Sequence, residues 1–159
     1  SEFWNANIFH PEPMTLALSE HLFGQVLQIL PIYWLTGNII LCYNLLLLTS
    51  FSLSGFGMFL LVRDIVRDEC GDGPWVVPAA FIAGLIYAFM PFRAAQLPHI
   101  QSLSSQWMPL ALCGFRRFVL SDRVKPLVWG TAALLMQNWS CGYYLIFFAP
   151  FAPRVGDAD

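Results

Sequence analysis

Charge is what this sequence has least of. Asp, Glu, Lys and Arg make up 11% of its 159 residues, where soluble domains carry roughly 25%. So little charge does not cover a soluble surface. The mean hydropathy is +0.60 and hydrophobic residues reach 57%, so a greasy soluble core is the weaker reading. The net charge of -2 gives no basic field for nucleic acid, and no nucleic-acid-binding motif is present. Cys42, Cys70, Cys113 and Cys141 are not spaced as metal ligands, and they read as small apolar fillers without a disulfide. There is no phosphate-cradling glycine loop, nucleophile elbow or Cys/His metal array. No repeat or low-complexity tract occurs, and the first residues lack the basic start of a signal peptide.

The spacing of the charges says more than their number. None falls between Glu20 and Arg63, between Asp72 and Arg93, between Arg93 and Arg116, or between Lys125 and Arg154. A helix needs about 20 apolar residues to cross the hydrocarbon core, and each gap has room for a crossing. The expected fold is therefore all-α: a polytopic transmembrane helical bundle of about four spans, with an outer interfacial amphipathic helix. The spans are placed at residues 39–62, 75–92, 107–119 (starting as early as 100) and 127–149. Residues 1–38 form a first extracytoplasmic loop, residues 39–149 the spanning region, and residues 150–159 a truncated tail. Both ends look cut, so missing transmembrane helices of the same protein are expected partners.

Within residues 14–30 a helix is expected, ended by Pro31. His21, Gln25 and Gln28 share one face, and Leu22, Phe23, Val26, Leu27 and Leu30 cover another. That pattern suits a helix lying in the membrane interface; the alternative is a first short span. The small residues Ser50, Ser52, Ser54, Gly55 and Gly57 read as a packing face against neighbouring helices. Arg63, Asp64, Arg67, Asp68, Glu69 and Asp72 are expected in a charged loop.

Orientation follows from the bias of Lys and Arg toward the cytoplasmic side. Arg63, Arg67, Arg116, Arg117, Arg123 and Lys125 fall in loops on one side, and Arg93 and Arg154 on the other. Residues 1–38 and 93–106 then face outward together. That face gathers the chemistry-bearing side chains. Glu20 and His21 are the candidate catalytic pair, with Glu20 a general base toward a hydroxyl. Arg93, Gln96, His99 and Gln101 are candidate substrate ligands, joined by Tyr143 and Tyr144 from the last span. Arg93 follows a helix end at Pro91-Phe92, where a guanidinium can hold a phosphate bidentately. Taken singly, Arg93 reads more simply as snorkelling to headgroups, and Glu20 as a solvated carboxylate. Glu20 and His21 with His99 also form a candidate divalent-metal set.

The stretches N-A-N-I-F-H-P-E-P-M-T-L-A-L-S-E-H-L-F-G (residues 5–24), L-S-G-F-G-M-F-L-L-V-R (53–63), Y-A-F-M-P-F-R-A-A-Q-L-P-H-I-Q (87–101) and Q-W-M-P-L-A-L (106–112) together resemble bacterial multi-spanning glycosyltransferase-like proteins of the GT-C superfamily. The resemblance covers most of the chain. It implies a polyprenyl-phosphate sugar donor, an acidic catalytic residue in the first outer loop, a helix of that loop along the membrane, and the bacterial inner membrane as location. Residues 14–30 match that helix, and Glu20 is the acid within it. One departure stands out: the family pattern places its acid soon after a first spanning helix, and none precedes Glu20 here. The acid is then Glu20 or a residue before Ser1. The expected function is transfer of a lipid-linked sugar at the outer membrane face. The alternative is a non-catalytic transport or polysaccharide-export component, which should carry ionisable residues at mid-span.

Overall fold

The structure, a computed structural model, describes residues 22–148. All regular structure among them is helical: α1 Phe23–Thr36, α2 Ile39–Cys70, α3 Val76–Ala88, α4 Pro91–Ala95, α5 Ile100–Leu103, α6 Trp107–Ser121, α7 Val124–Ser140 and α8 Tyr143–Phe148. The helical class is as expected. Two helical segments, Ile39–Cys70 and Val76–Ala95, are long and apolar enough to cross a membrane. Only 28% of each apolar window is buried inside the bundle, so neither resembles the core helix of a soluble fold. Phe56, Phe81, Ile82, Leu85 and Ile86 lie on their exposed faces. Such a continuous apolar surface fits membrane association.

The other two expected spans, 107–119 and 127–149, are not among these segments. Residues 100–121 form α5 and α6, interrupted at Ser104, Ser105 and Gln106. The last expected span stops at Cys141, whose backbone is extended (φ -161, ψ 106), before α8 begins. At about 1.5 Å per residue, α6 and α7 are about 22 and 25 Å long, short of the ~30 Å hydrocarbon core. Among the described residues, two helical segments rather than four have the length and apolarity of a membrane span.

Helix α2 is the axis of the molecule. Asn38 starts it, its Oδ1 accepting from the Ile40 and Leu41 amides at 3.1 Å each, as an N-cap should. Gly37 closes α1 just before, with a left-handed φ of 62° and its amide donating to the Tyr33 carbonyl. The charged residues from Arg63 onward were expected in a loop, but α2 continues through them to Cys70. Ion pairs to α6 hold that extension, Arg116 with Asp68 and Arg117 with Asp64.

Small residues let the helices approach closely. Gly55 of α2 faces Gly84 of α3, where an added Cβ would lie 2.7 Å from the Gly55 carbonyl oxygen. Gly114 of α6 faces Gly130 of α7, where a Cβ would meet the Gly130 Cα at 2.5 Å. Gly57 packs against Pro109 and Leu110 of α6. The expectation of a small-residue packing face on α2 thus holds.

Helix α1 departs most from expectation. It runs through Pro31 to Thr36 instead of ending there. A proline removes one backbone donor and costs about 3 kcal/mol inside a helix. Ile29 and Ile32 of α1 line a pocket with Leu45, Leu46 and Thr49 of α2 on either side of that proline. The polarity of α1 is also turned inside out. Gln25 is 2% exposed, while Phe23 and Val26 are 51% and 44% exposed. The described part of the expected interfacial helix therefore packs between α2 and α7 with its polar face inward. A helix resting on headgroups would do the reverse.

Candidate functional site

The polar faces of these helices meet at one junction. Its centre is Arg93, in the short helix α4, begun by Pro91 at the first helical position. The guanidinium was expected at the outer surface, reaching for a phosphate. It is 1% exposed instead. Nη1 donates to Ser105 Oγ at 2.6 Å and Nη2 to Ser50 Oγ at 3.0 Å. The guanidinium also lies over the Phe51 ring, 4.8 Å from its centroid. Nε has no hydrogen-bond partner among the described residues. Neither snorkelling nor a direct grip on donor phosphate fits such burial. Ser50, read from sequence as packing only, is one of the two hydroxyls that hold the charge.

Hydroxyl chemistry explains the arrangement. Ser50 Oγ has one proton, and its shortest acceptor is the Leu103 carbonyl at 2.8 Å. Its lone pairs remain for Arg93. Ser104, Ser105 and Gln106 are the break between α5 and α6, and they and Leu103, the last residue of α5, are all buried. Breaking a helix frees backbone groups that need partners. Here they find them: Ser50 takes the Leu103 carbonyl, Gln137 Nε2 donates to the Ser104 carbonyl at 2.8 Å, and the Tyr87 hydroxyl donates to the Ser105 carbonyl at 3.3 Å. Helix α1 closes the junction. Gln25 Nε2 donates to Ser104 Oγ and to the Ser140 carbonyl at 2.9 Å each. Gln106 Nε2 donates to Gln28 Oε1 at 3.4 Å.

Ser50 lies about 17 Å along α2 from Ile39, at about 1.5 Å per residue. The junction is thus well inside the apolar part of that helix. Residues 94–101 lead from it to the Asn38 end of α2, where the Tyr43 hydroxyl meets the Leu97 carbonyl at 3.5 Å. His99 is exposed there, and Gln96 and Gln101 are half-buried. Tyr144 reaches the same segment, its hydroxyl donating to the Ser102 carbonyl at 2.6 Å. Tyr143 is 60% exposed. Gln96, His99, Gln101 and Tyr144 therefore belong to one segment and its immediate support, and Arg93 lies beneath them. The carboxylates and arginines of α2 and α6 gather at the other end, as the charge bias requires.

Glu20 and His21 lie outside the described residues, as do His10 and residues 149–159. No three His, Cys, Asp or Glu side chains converge among the described residues, so His99 has no pair of fellow ligands there. Sequence reasoning missed Ser50, Ser104, Ser105, Gln106, Gln137 and Ser140. The available signal was an amide or hydroxyl inside an apolar stretch, which in lipid must turn toward other polar groups. No family model, curated protein or solved structure matches the chain.

Proposed function

We propose that this chain is part of a membrane glycosyltransferase of the GT-C kind, which passes a sugar from a polyprenyl-phosphate donor to an acceptor at the outer face of a bacterial inner membrane. The observation that carries this reading is the buried anchorage of residues 93–106. Arg93 ties that segment to Ser50, which leaves Gln96, His99 and Gln101 as a fixed polar platform at the Asn38 end of the bundle. A platform of neutral donors and one imidazole suits the hydroxyls of a sugar and the oxygens of a phosphate. In this scheme Glu20 with His21 supplies the general base, and His99, Gln96, Gln101, Tyr143 and Tyr144 orient the donor. Arg93 acts from beneath by holding the platform. Catalysis by orientation depends on such rigidity, since a displacement of about 1 Å can lower a rate by about a hundredfold.

The test is sugar transfer by the complete protein from synthetic polyprenyl-phosphate donors. Glu20→Gln and His99→Ala should each lower transfer roughly tenfold to a hundredfold, the range for losing one or two charge-assisted or neutral contacts in the transition state. Wild-type transfer rates in both variants would remove these residues from the mechanism. A second reading is favoured by the burial of Arg93 between broken helices, an arrangement that transport proteins use at their binding sites. Solute flux through reconstituted vesicles without any sugar transfer would select it.

A further inference from the structure

At the end of the bundle opposite the platform, α2 and α6 line an open polar cleft of about 450 Å³ with the start of α7. Its lining includes Arg63, Arg67, Arg116, Arg117 and Arg123 against Asp64 and Asp68. Five arginines face two aspartates there, and with Arg67 paired to Asp72 two positive charges remain in surplus. We infer that this cleft binds a phosphate group, carried either by an anionic lipid headgroup or by a soluble phosphate compound.

The pairing pattern points the same way. Asp64 holds both Arg63 and Arg117, and Asp68 holds Arg116. Arg67 turns to Asp72, outside the lining, and Arg123 forms no ion pair among the described residues. Each internal bond uses one donor group of its arginine: Nη2 of Arg63, Nη1 of Arg116 and Nε of Arg117. A guanidinium has five N–H donors in a planar fork, so most of them stay available. The aspartates thus fix three guanidinium groups without exhausting them. Fixed forks of this kind match the oxygens of phosphate bidentately. The rings of Phe59 and Trp129 lie 5.8 and 6.0 Å from the Arg63 and Arg117 guanidiniums and further limit their freedom.

The test uses the whole chain purified in detergent beside Arg67→Gln/Arg123→Gln. Neither of these arginines pairs with a carboxylate of the cleft, so Asp64 and Asp68 keep their partners and the melting temperature should be unchanged. Inorganic pyrophosphate is titrated calorimetrically, and retained lipid is measured after exchange against equal phosphatidylglycerol and phosphatidylcholine. Wild-type protein should show saturable pyrophosphate binding or selective retention of phosphatidylglycerol, weakened by about tenfold or more in the double variant. Lipid selectivity without pyrophosphate binding assigns the site to a headgroup, and pyrophosphate binding assigns it to soluble phosphate. Absence of both in the wild type, or equal binding by an equally stable variant, overturns the inference.

Discussion

The two polar clusters of this molecule hold their arginines in opposite ways. At the Arg116–Asp68 end, guanidiniums meet carboxylates, and most of the side chains are partly open to solvent: 36% for Arg63, 38% for Arg117 and 48% for Asp68. At the Arg93 junction the guanidinium is buried and meets only hydroxyls and the Phe51 ring. Solvent explains the contrast. A half-exposed ion pair keeps most of its hydration and contributes little, whereas a buried charge needs each of its contacts. Arg93 is thus the group whose removal should matter most, although it has no ion pair among the described residues.

That contrast can be broken or sharpened by substitution. The largest effect is expected for Arg93→Ala, which removes two charge-assisted hydrogen bonds and the Phe51 contact and leaves a void. A loss of roughly 3–5 kcal/mol is expected, read as unfolding in a bicelle or mild detergent. Ser50→Ala should follow at about 1–3 kcal/mol, because it strips one partner from Arg93 and another from the Leu103 carbonyl. Asp68→Asn, at the most exposed carboxylate of these pairs with α6, should have the smallest effect, about 1 kcal/mol or less, and it should shrink further in high salt. Unfolding curves measured at two ionic strengths would order the three. If Asp68→Asn proved as damaging as Arg93→Ala and equally indifferent to salt, burial would not be what separates the two clusters.

The sequence made the helical class legible because charge-free stretches between Glu20 and Arg63, and between Asp72 and Arg93, leave few alternatives to apolar helices. It also placed Arg63, Arg67, Arg116, Arg117 and Arg123 at one end. It did not disclose the breaks. Ser104, Ser105 and Gln106 resemble the polar end of a loop, and only their burial against Ser50, Gln25 and Gln137 shows them within the bundle. The direction of α1 was unreadable for a related reason. Amphipathic periodicity reports that Gln25 and Gln28 share a face, but it is blind to whether lipid or water lies outside. With lipid outside, polarity inverts and the same pattern turns inward. For Arg93, Pro91-Phe92 reads in the sequence as a helix end, whereas Pro91 begins α4, and nothing in the sequence carries the depth of the guanidinium.

The inversion of α1 also bears on the order of assembly during synthesis. Gln25 comes early in the chain, yet Ser104 and Ser140, which accept its amide protons, follow it by 79 and 115 residues. Gln28 likewise awaits Gln106, 78 residues on. Until those partners emerge, the Gln25 amide lacks the acceptors that it has in the folded bundle. Helices α2 and α3 need no such delay, since their contact is made by Gly55 and Gly84, close in sequence and apolar. The bonds of α1 to Ser104, Gln106 and Ser140 can therefore form only once those residues have been made, later in synthesis than the Gly55–Gly84 contact.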